Sequence, residues 1–220
     1  MSALVKRKKI GLFGGTFDPV HEGHISLAGQ VMAQCRLDCI LFIPASLPPH
    51  KTKPAASFVH RVAMLEAALA GCSDMSISLI ESERSSLSYT VDTVLELKKR
   101  LGPHTYFLII GADSLVELHL WYRYEELLGL VNLIVAARPG ISLHQVRQQI
   151  DRLSGRFSRD GDKLLWRSEN DRAIWYVDDV DVAVSSSLIR KRIARHQPVD
   201  MVPQSVRTYI DQHGLYQDRQ

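Results

Sequence analysis

The stretch Lys9-Ile10-Gly11-Leu12-Phe13-Gly14-Gly15-Thr16-Phe17-Asp18-Pro19-Val20-His21-Glu22-Gly23-His24 decides how this chain is read. Lys9 to Phe13 is a short, mostly apolar run, as a buried strand requires, and it ends in the pair Gly14-Gly15. From Gly23 to about Arg36, the apolar residues Ile25, Leu27, Ala28, Val31 and Met32 recur at helical spacing. A buried strand, a glycine turn and a helix make the opening unit of a parallel α/β sheet.

The same alternation continues outward. Cys39 to Ile43 is a second apolar strand stopped by Pro44, and Ala45 to Ser57, with Pro48, Pro49 and Pro54, is a loop. A helix over about Phe58 to Ala70, a strand Ser76 to Ile80 and a helix Thr90 to Arg100 follow. Thr105 to Ile110 is the next strand, Ser114 to Leu128 one or two short helices, and Val131 to Ala136 a strand closed by Arg138-Pro139-Gly140. Leu143 to Leu153 is expected to be helical, Gly155 to Asp171 polar and loop-like, and Ile174 to Val177 a strand. Helices near Ser187–Arg195 and Pro203–His213 close the chain, the second with proline at its first turn, where a missing N–H costs nothing. The pattern predicts one α/β domain over 1–220, with its core at about 9–140 and 174–195, a variable segment at about 141–173, and C-terminal helices at about 187–213.

Composition narrows the class. The chain has 220 residues, 45% of them apolar, which excludes disorder, and its three cysteines exclude a disulfide scaffold. Cys35 and Cys39 are two thiols, too few to complete a tetrahedral zinc site, and read as small buried apolar residues. No apolar run approaches the ~18–20 residues of a membrane span. The basic start, Met1 to Lys9, reaches Gly14-Gly15 without the apolar core and cleavage site of a signal peptide, so a cytoplasmic location is expected, with no membrane partner. Lys6 to Lys9 is read as a solvated lead-in to the first strand. A net charge of +3 suits anionic small molecules. Without aromatic–basic interleaving, no nucleic-acid partner is expected. Oligomeric state is not legible.

In an open parallel sheet, ligands bind beyond the carboxyl ends of the strands, where strand order reverses. Four places just after strands carry unusual chemistry. In the first, Gly14 and Gly15 allow close backbone approach, and Gly23-His24 opens a helix whose N–H groups and dipole attract anions. His21 and His24, three apart, can face one ligand, as metal ligands, as a general base, or as hydrogen-bond donors to phosphate, the role we favour. The second place is the proline-stiffened loop Pro48-Pro49-His50-Lys51, whose lysine also suits a solvated surface. The third comprises Ser88-Tyr89-Thr90, readable as a helix cap, and Gly111-Ala112-Asp113-Ser114 with Trp121, readable as a core aromatic, together with Arg138 beyond the next strand. The fourth is Val184-Ser185-Ser186-Ser187-Leu188-Ile189-Arg190, where serines opening a helix also serve as ordinary caps.

These residues carry a resemblance. The string Gly14 to His24 resembles the signature of the nucleotidyltransferase superfamily, with His21-Glu22-Gly23-His24 as its H-x-G-H element, in the spelling of bacterial nicotinate-mononucleotide adenylyltransferases. The Pro-Pro-His-Lys segment, Ser-Tyr-Thr followed by Asp92-Thr93, the string Ile110 to Ser114 with its tryptophan, and Val184 to Arg190 are similar to that family's other segments. Val184 stands where isoleucine is common and Ser187 where threonine is. The likeness runs from about Ile10 to Tyr216, including Tyr209-Ile210-Asp211 and Gly214-Leu215-Tyr216, and is poorest across 141–173.

The resemblance implies a Rossmann-like doubly wound parallel sheet of the nucleotidyltransferase type with a helical C-terminal segment. It implies transfer of AMP from ATP to nicotinate mononucleotide, giving pyrophosphate and the dinucleotide precursor of NAD. Transfer to nicotinamide mononucleotide or another small phosphate is the near alternative. A non-catalytic nucleotide-binding regulator is the distant one, expected to have lost His24 or Arg190, and both are present. The resemblance assigns His21, His24 and Arg190 to catalysis, and Gly14, Gly15, Thr16, Phe17, His24, Asp113, Ser186, Ser187 and Arg190 to ATP. Lys51, Ser88, Tyr89, Thr90, Trp121 and Arg138 fall to the mononucleotide. No resident metal is expected, only Mg²⁺ carried on the ATP phosphates.

Overall fold

Strand β1 (Lys9–Gly15) lies in the interior of a sheet, paired in parallel with β2 (Cys39–Pro44) on one side and β4 (Thr105–Gly111) on the other. The computed structural model of the chain describes residues 7–46, 54–84, 88–153, 157–161, 164–178 and 184–217. Outside β2 runs β3 (Met75–Ile77), and beyond β4 come β5 (Asn132–Ala136) and β8 (Ala173–Val177), all parallel. The sheet closes with β7 (Leu165–Arg167), antiparallel to β8, and β6 (Ser158–Arg159), antiparallel to β7, in the order β3-β2-β1-β4-β5-β8-β7-β6. Strand order therefore reverses between β1 and β4.

The strands read as unbroken apolar runs because both faces are covered. Successive side chains point to opposite faces, and each face meets helices. On one side Phe13, Phe107, Ile109 and Ile134 pack on Leu27 and Val31 of α1 (Glu22–Cys35), Met64 and Leu65 of α2 (Phe58–Leu69), Ile189 of α7 (Ser186–Ala194) and Val206 and Ile210 of α8 (Gln204–Gln212). On the other side Leu12, Leu108, Leu133 and Val135 meet α3 (Thr90–Leu101), α4 (Ala112–Val116), α5 (Tyr124–Leu130) and α6 (Leu143–Arg152). This is the doubly wound α/β arrangement. Among the described residues, no helix is long and apolar enough to cross a membrane.

Several expectations need correction. The stretch 155–171, read as loop, carries β6 and β7, which bury Leu165 and Trp166. Strands of two and three residues are too short to show a period, and the sheet is mixed rather than wholly parallel. β3 stops at Ile77 rather than Ile80, because the chain turns at Leu79, whose carbonyl accepts from Ser82 N at 2.9 Å and Ser82 Oγ at 2.7 Å. The stretch 114–128 holds more than two pieces, namely α4, a 3-10 turn Leu118–Leu120 and α5, with Arg123 left-handed at φ 53° before α5. Pro203 caps α8 from one position before its first turn. The N-terminal residue of α3 is flanked by Tyr89 without any side-chain cap bond, so Ser88-Tyr89-Thr90 does not act as a cap.

Candidate active site

At the exit of β1 the chain makes a sharp loop held from below. Phe17, left-handed at φ 49°, turns its ring into the core against Phe13 at 5.7 Å, Phe42 at 5.6 Å and His24 at 5.1 Å. That ring fills the space over Gly15, where a Cβ would sit 2.8 Å from it, whereas among the described residues nothing lies within 4 Å of a Cβ at Gly14. Of Gly14, Gly15, Thr16 and Phe17, the last therefore offers a ligand only its backbone. Beneath the loop, the buried guanidinium of Arg61 donates from Nη1 to Thr16 O at 2.7 Å and from Nη2 to Ala45 O at 2.8 Å, stitching the exits of β1 and β2 together.

His21 precedes α1 and is 3% exposed. Its ring stacks on that of His24, with centroids 3.7 Å apart and 30° between the planes. The His21 main-chain N–H donates to Nδ1 of His24 at 3.2 Å, so a neutral His24 carries its proton on Nε2. Burial first, and the nearby Arg138 second, push the His21 imidazole down to about 4, which keeps it uncharged at neutral pH. Among the described residues its buried Nδ1 has no hydrogen-bond partner. The amides of the first turn of α1 are partly occupied: Glu22 N donates to Met201 O at 3.0 Å and His24 N to His21 O at 2.9 Å.

The helix α7 faces this loop. Ser185 caps it by accepting from Leu188 N at 3.2 Å, leaving Ser186 to donate to Pro19 O at 2.9 Å. Arg190 reaches back one turn, donating from Nη1 to the Asp18 carbonyl at 2.7 Å and from Nη2 to Ser187 Oγ at 3.3 Å. Beyond the exits of β4 and β5, Arg138 Nε lies 3.8 Å from Asp113 Oδ1, both lying over Gly111, where a Cβ would clash with them. His21, His24, Asp113, Arg138, Ser186, Ser187 and Arg190 thus gather around the reversal point between β1 and β4.

A second group lines the start of α3. Tyr89 packs on Tyr122 with ring centroids 4.5 Å apart, and Asp92 pairs with Arg123 at 3.3 Å, tying Ser88, Tyr89 and Thr90 to the turn that bears Trp121. Trp121 is half-buried against the core beneath α3 and α5. Lys51, with Pro48, Pro49 and His50, lies outside the described residues.

Three supporting groups were not singled out from the sequence. Asp18 is 3% exposed, and its carboxylate accepts from Ala55 N at 2.8 Å, Ala56 N at 3.0 Å and Tyr216 Oη at 2.8 Å. Glu81, whose carboxyl burial raises above the usual range, accepts from Ser46 N at 3.3 Å and Thr93 Oγ1 at 3.1 Å, linking the exit of β2 to α3. Arg61 is the group that a closer reading of periodicity finds, because it interrupts the apolar stripe Phe58, Met64, Leu65.

Residues 12–192 match the family described as cytidylyltransferase-like. The probable nicotinate-nucleotide adenylyltransferase of Bacillus pumilus is 41% identical over 212 residues, spanning 96% of this chain and 99% of its own. That of Bacillus subtilis, named nicotinate-nucleotide adenylyltransferase, is 37% identical over 212 residues with the same coverage, 96% and 99%. Among solved structures, the Plasmodium falciparum nicotinic acid mononucleotide adenylyltransferase complexed with NaAD superposes with a TM-score of 0.74 at 17% identity, over 96% of this chain and 98% of that one. At that identity the likeness is one of fold.

Proposed function

Because the chain belongs to the cytidylyltransferase-like family, and within it to the nicotinate-nucleotide adenylyltransferases, we propose that it transfers AMP from ATP to the phosphate of nicotinate mononucleotide. The products are nicotinate adenine dinucleotide and pyrophosphate, a step in making NAD. The observation that carries this reading is the stacked His21–His24 pair at the reversal point, with Arg190 of α7 beside it.

The acceptor is a phosphate monoester with a second pKa of ~6, mostly dianionic at neutral pH, so no general base is assigned. One of its oxygens bonds to the α-phosphorus of ATP, and the bond from that phosphorus to the oxygen bridging the β-phosphate breaks. What the reaction needs is alignment of two repelling anions and stabilisation of charge on the leaving pyrophosphate. In this reading His24 donates from Nε2 to a phosphate oxygen, while neutral His21 fixes the orientation of the His24 ring. Gly14 lets the backbone approach, and Ser186, Ser187 and Arg190 grip the triphosphate. Asp113 accepts from a ribose hydroxyl. Trp121 stacks on the pyridine ring, beside Ser88, Tyr89 and Thr90. Lys51 and Arg138 meet negative groups of the mononucleotide.

The donor set suits an anion, and the Asp18 carboxylate is occupied by two amides and a phenol. In this reading Mg²⁺ arrives as part of the substrate MgATP, sharing the phosphate charge. A cytoplasmic location suits this use of ATP.

The test is pyrophosphate release from MgATP with nicotinate or nicotinamide mononucleotide as acceptor. The expected result is a higher kcat/KM for the acid. Preference for the amide, or no release with either, overturns the assignment.

A further inference from the structure

The last helix ends on a contact that the chemistry just described does not use. After α8, Gly214 at φ 56° and Tyr216 at φ 64° turn the chain back under the β1 loop. There Tyr216 Oη donates to Asp18 Oδ1 at 2.8 Å, with Met64 Sδ at 3.9 Å. Burial, and then the Asp18 charge, hold the phenol well above its usual range, so it stays a donor.

Asp18 is where the consequence lies. With Oδ1 taken by Tyr216 Oη and Ala56 N, and Oδ2 by Ala55 N, the carboxylate is satisfied without Arg190. Arg190 Nη1 accordingly sits 3.7 Å from Oδ2 and donates instead to the Asp18 carbonyl at 2.7 Å. A buried carboxylate that loses a donor carries an uncompensated desolvation cost, which a cation within reach offsets by moving onto it. Of the two guanidiniums whose charge reaches Asp18, Arg61 is committed to Thr16 O and Ala45 O, whereas Arg190, partly exposed, has Nη1 3.7 Å from Oδ2.

We propose that Tyr216 is a positioning residue for nucleotide binding: its hydroxyl occupies Asp18 and thereby keeps Arg190 available to the triphosphate. The inference rests on the reading of Arg190 as a triphosphate ligand. It places the end of the chain in the active-site architecture across 198 residues of sequence.

The test is Tyr216→Phe, which keeps the ring and removes the donor. Calorimetric titration with MgATP alone is expected to show about tenfold weaker binding. In turnover assays KM for ATP should rise by a similar factor while KM for the mononucleotide stays as it was. In the Arg190→Lys background the same change should add little, because the two act through one group. Unchanged ATP affinity in a folded Tyr216→Phe protein overturns the proposal, as does full additivity with Arg190→Lys. A variant that fails to fold overturns it too, since support of the fold then accounts for the contact. If the wild-type protein itself does not bind MgATP, it is the reading of the site that fails rather than the role of Tyr216.

Discussion

The main-chain N–H of His21 donates to Nδ1 of His24 at 3.2 Å while the two rings stack 3.7 Å apart. One residue thus sets both the tautomer and the tilt of the other. This preorganisation leads to the first prediction. His24→Ala should lower kcat by ~10²–10³, the usual loss for one aligned donor, with the circular dichroism spectrum unchanged. Turnover near the wild-type value would take His24 out of the reaction.

His21 gives a prediction about stability rather than rate. Its imidazole is held at about 4 in the folded protein and returns to ~6.5 when unfolded. Between those values only the unfolded chain binds the proton, so acidification through that window favours unfolding. From pH 7 to pH 5 this group should cost about 2 kcal/mol, and His21→Gln should remove that component. Urea unfolding of both proteins at the two pH values measures it. Equal losses in the two proteins would show that His21 does not titrate there.

The two glycines after β1 should behave oppositely. A methyl group on Gly15 meets the buried Phe17 ring at 2.8 Å, so Gly15→Ala should cost ~1–3 kcal/mol and lower Tm. Gly14→Ala meets nothing within 4 Å and should leave Tm nearly unchanged, but raise KM for ATP by obstructing the phosphate path. Thermal melts and ATP titrations on both variants separate the two outcomes, and a reversed pattern would refute this account of the loop.

Trp121→Ala should act on the acceptor. Losing a stacking surface for a flat ring is expected to raise KM for the mononucleotide roughly tenfold, with KM for ATP unaffected. Initial rates at varied concentrations of each substrate check this, and an unaltered mononucleotide KM would remove Trp121 from that pocket.

Much of the fold was legible because its strands are apolar on both faces and its helices repeat at 3.6 residues. Leu12, Leu108 and Val135 announce buried strands without any tertiary knowledge. β6 and β7 escaped because two or three residues carry no period, and the short run Leu164-Leu165-Trp166 stands among polar neighbours. At the site, His21 and His24 stood out because their spacing at a helix entrance is local, whereas Ser186, Ser187 and Arg190 were reached through the family resemblance. Asp18 lay inside the quoted string, yet its partners Ala55, Ala56 and Tyr216 come from remote segments, which no local pattern reveals. The place of Arg61 in an apolar stripe was legible, but its partners were not, since both acceptors are main-chain carbonyls, Thr16 O and Ala45 O.

The sheet is eight strands wide, and its two outer members are short, β3 with three residues and β6 with two. An edge strand is where one polypeptide can add itself to another, by hydrogen bonding along a row of unpaired amides and carbonyls. Here each border is a strand of only two or three residues. Wide as it is, the platform that carries the chemistry gives a second chain almost no purchase to extend it.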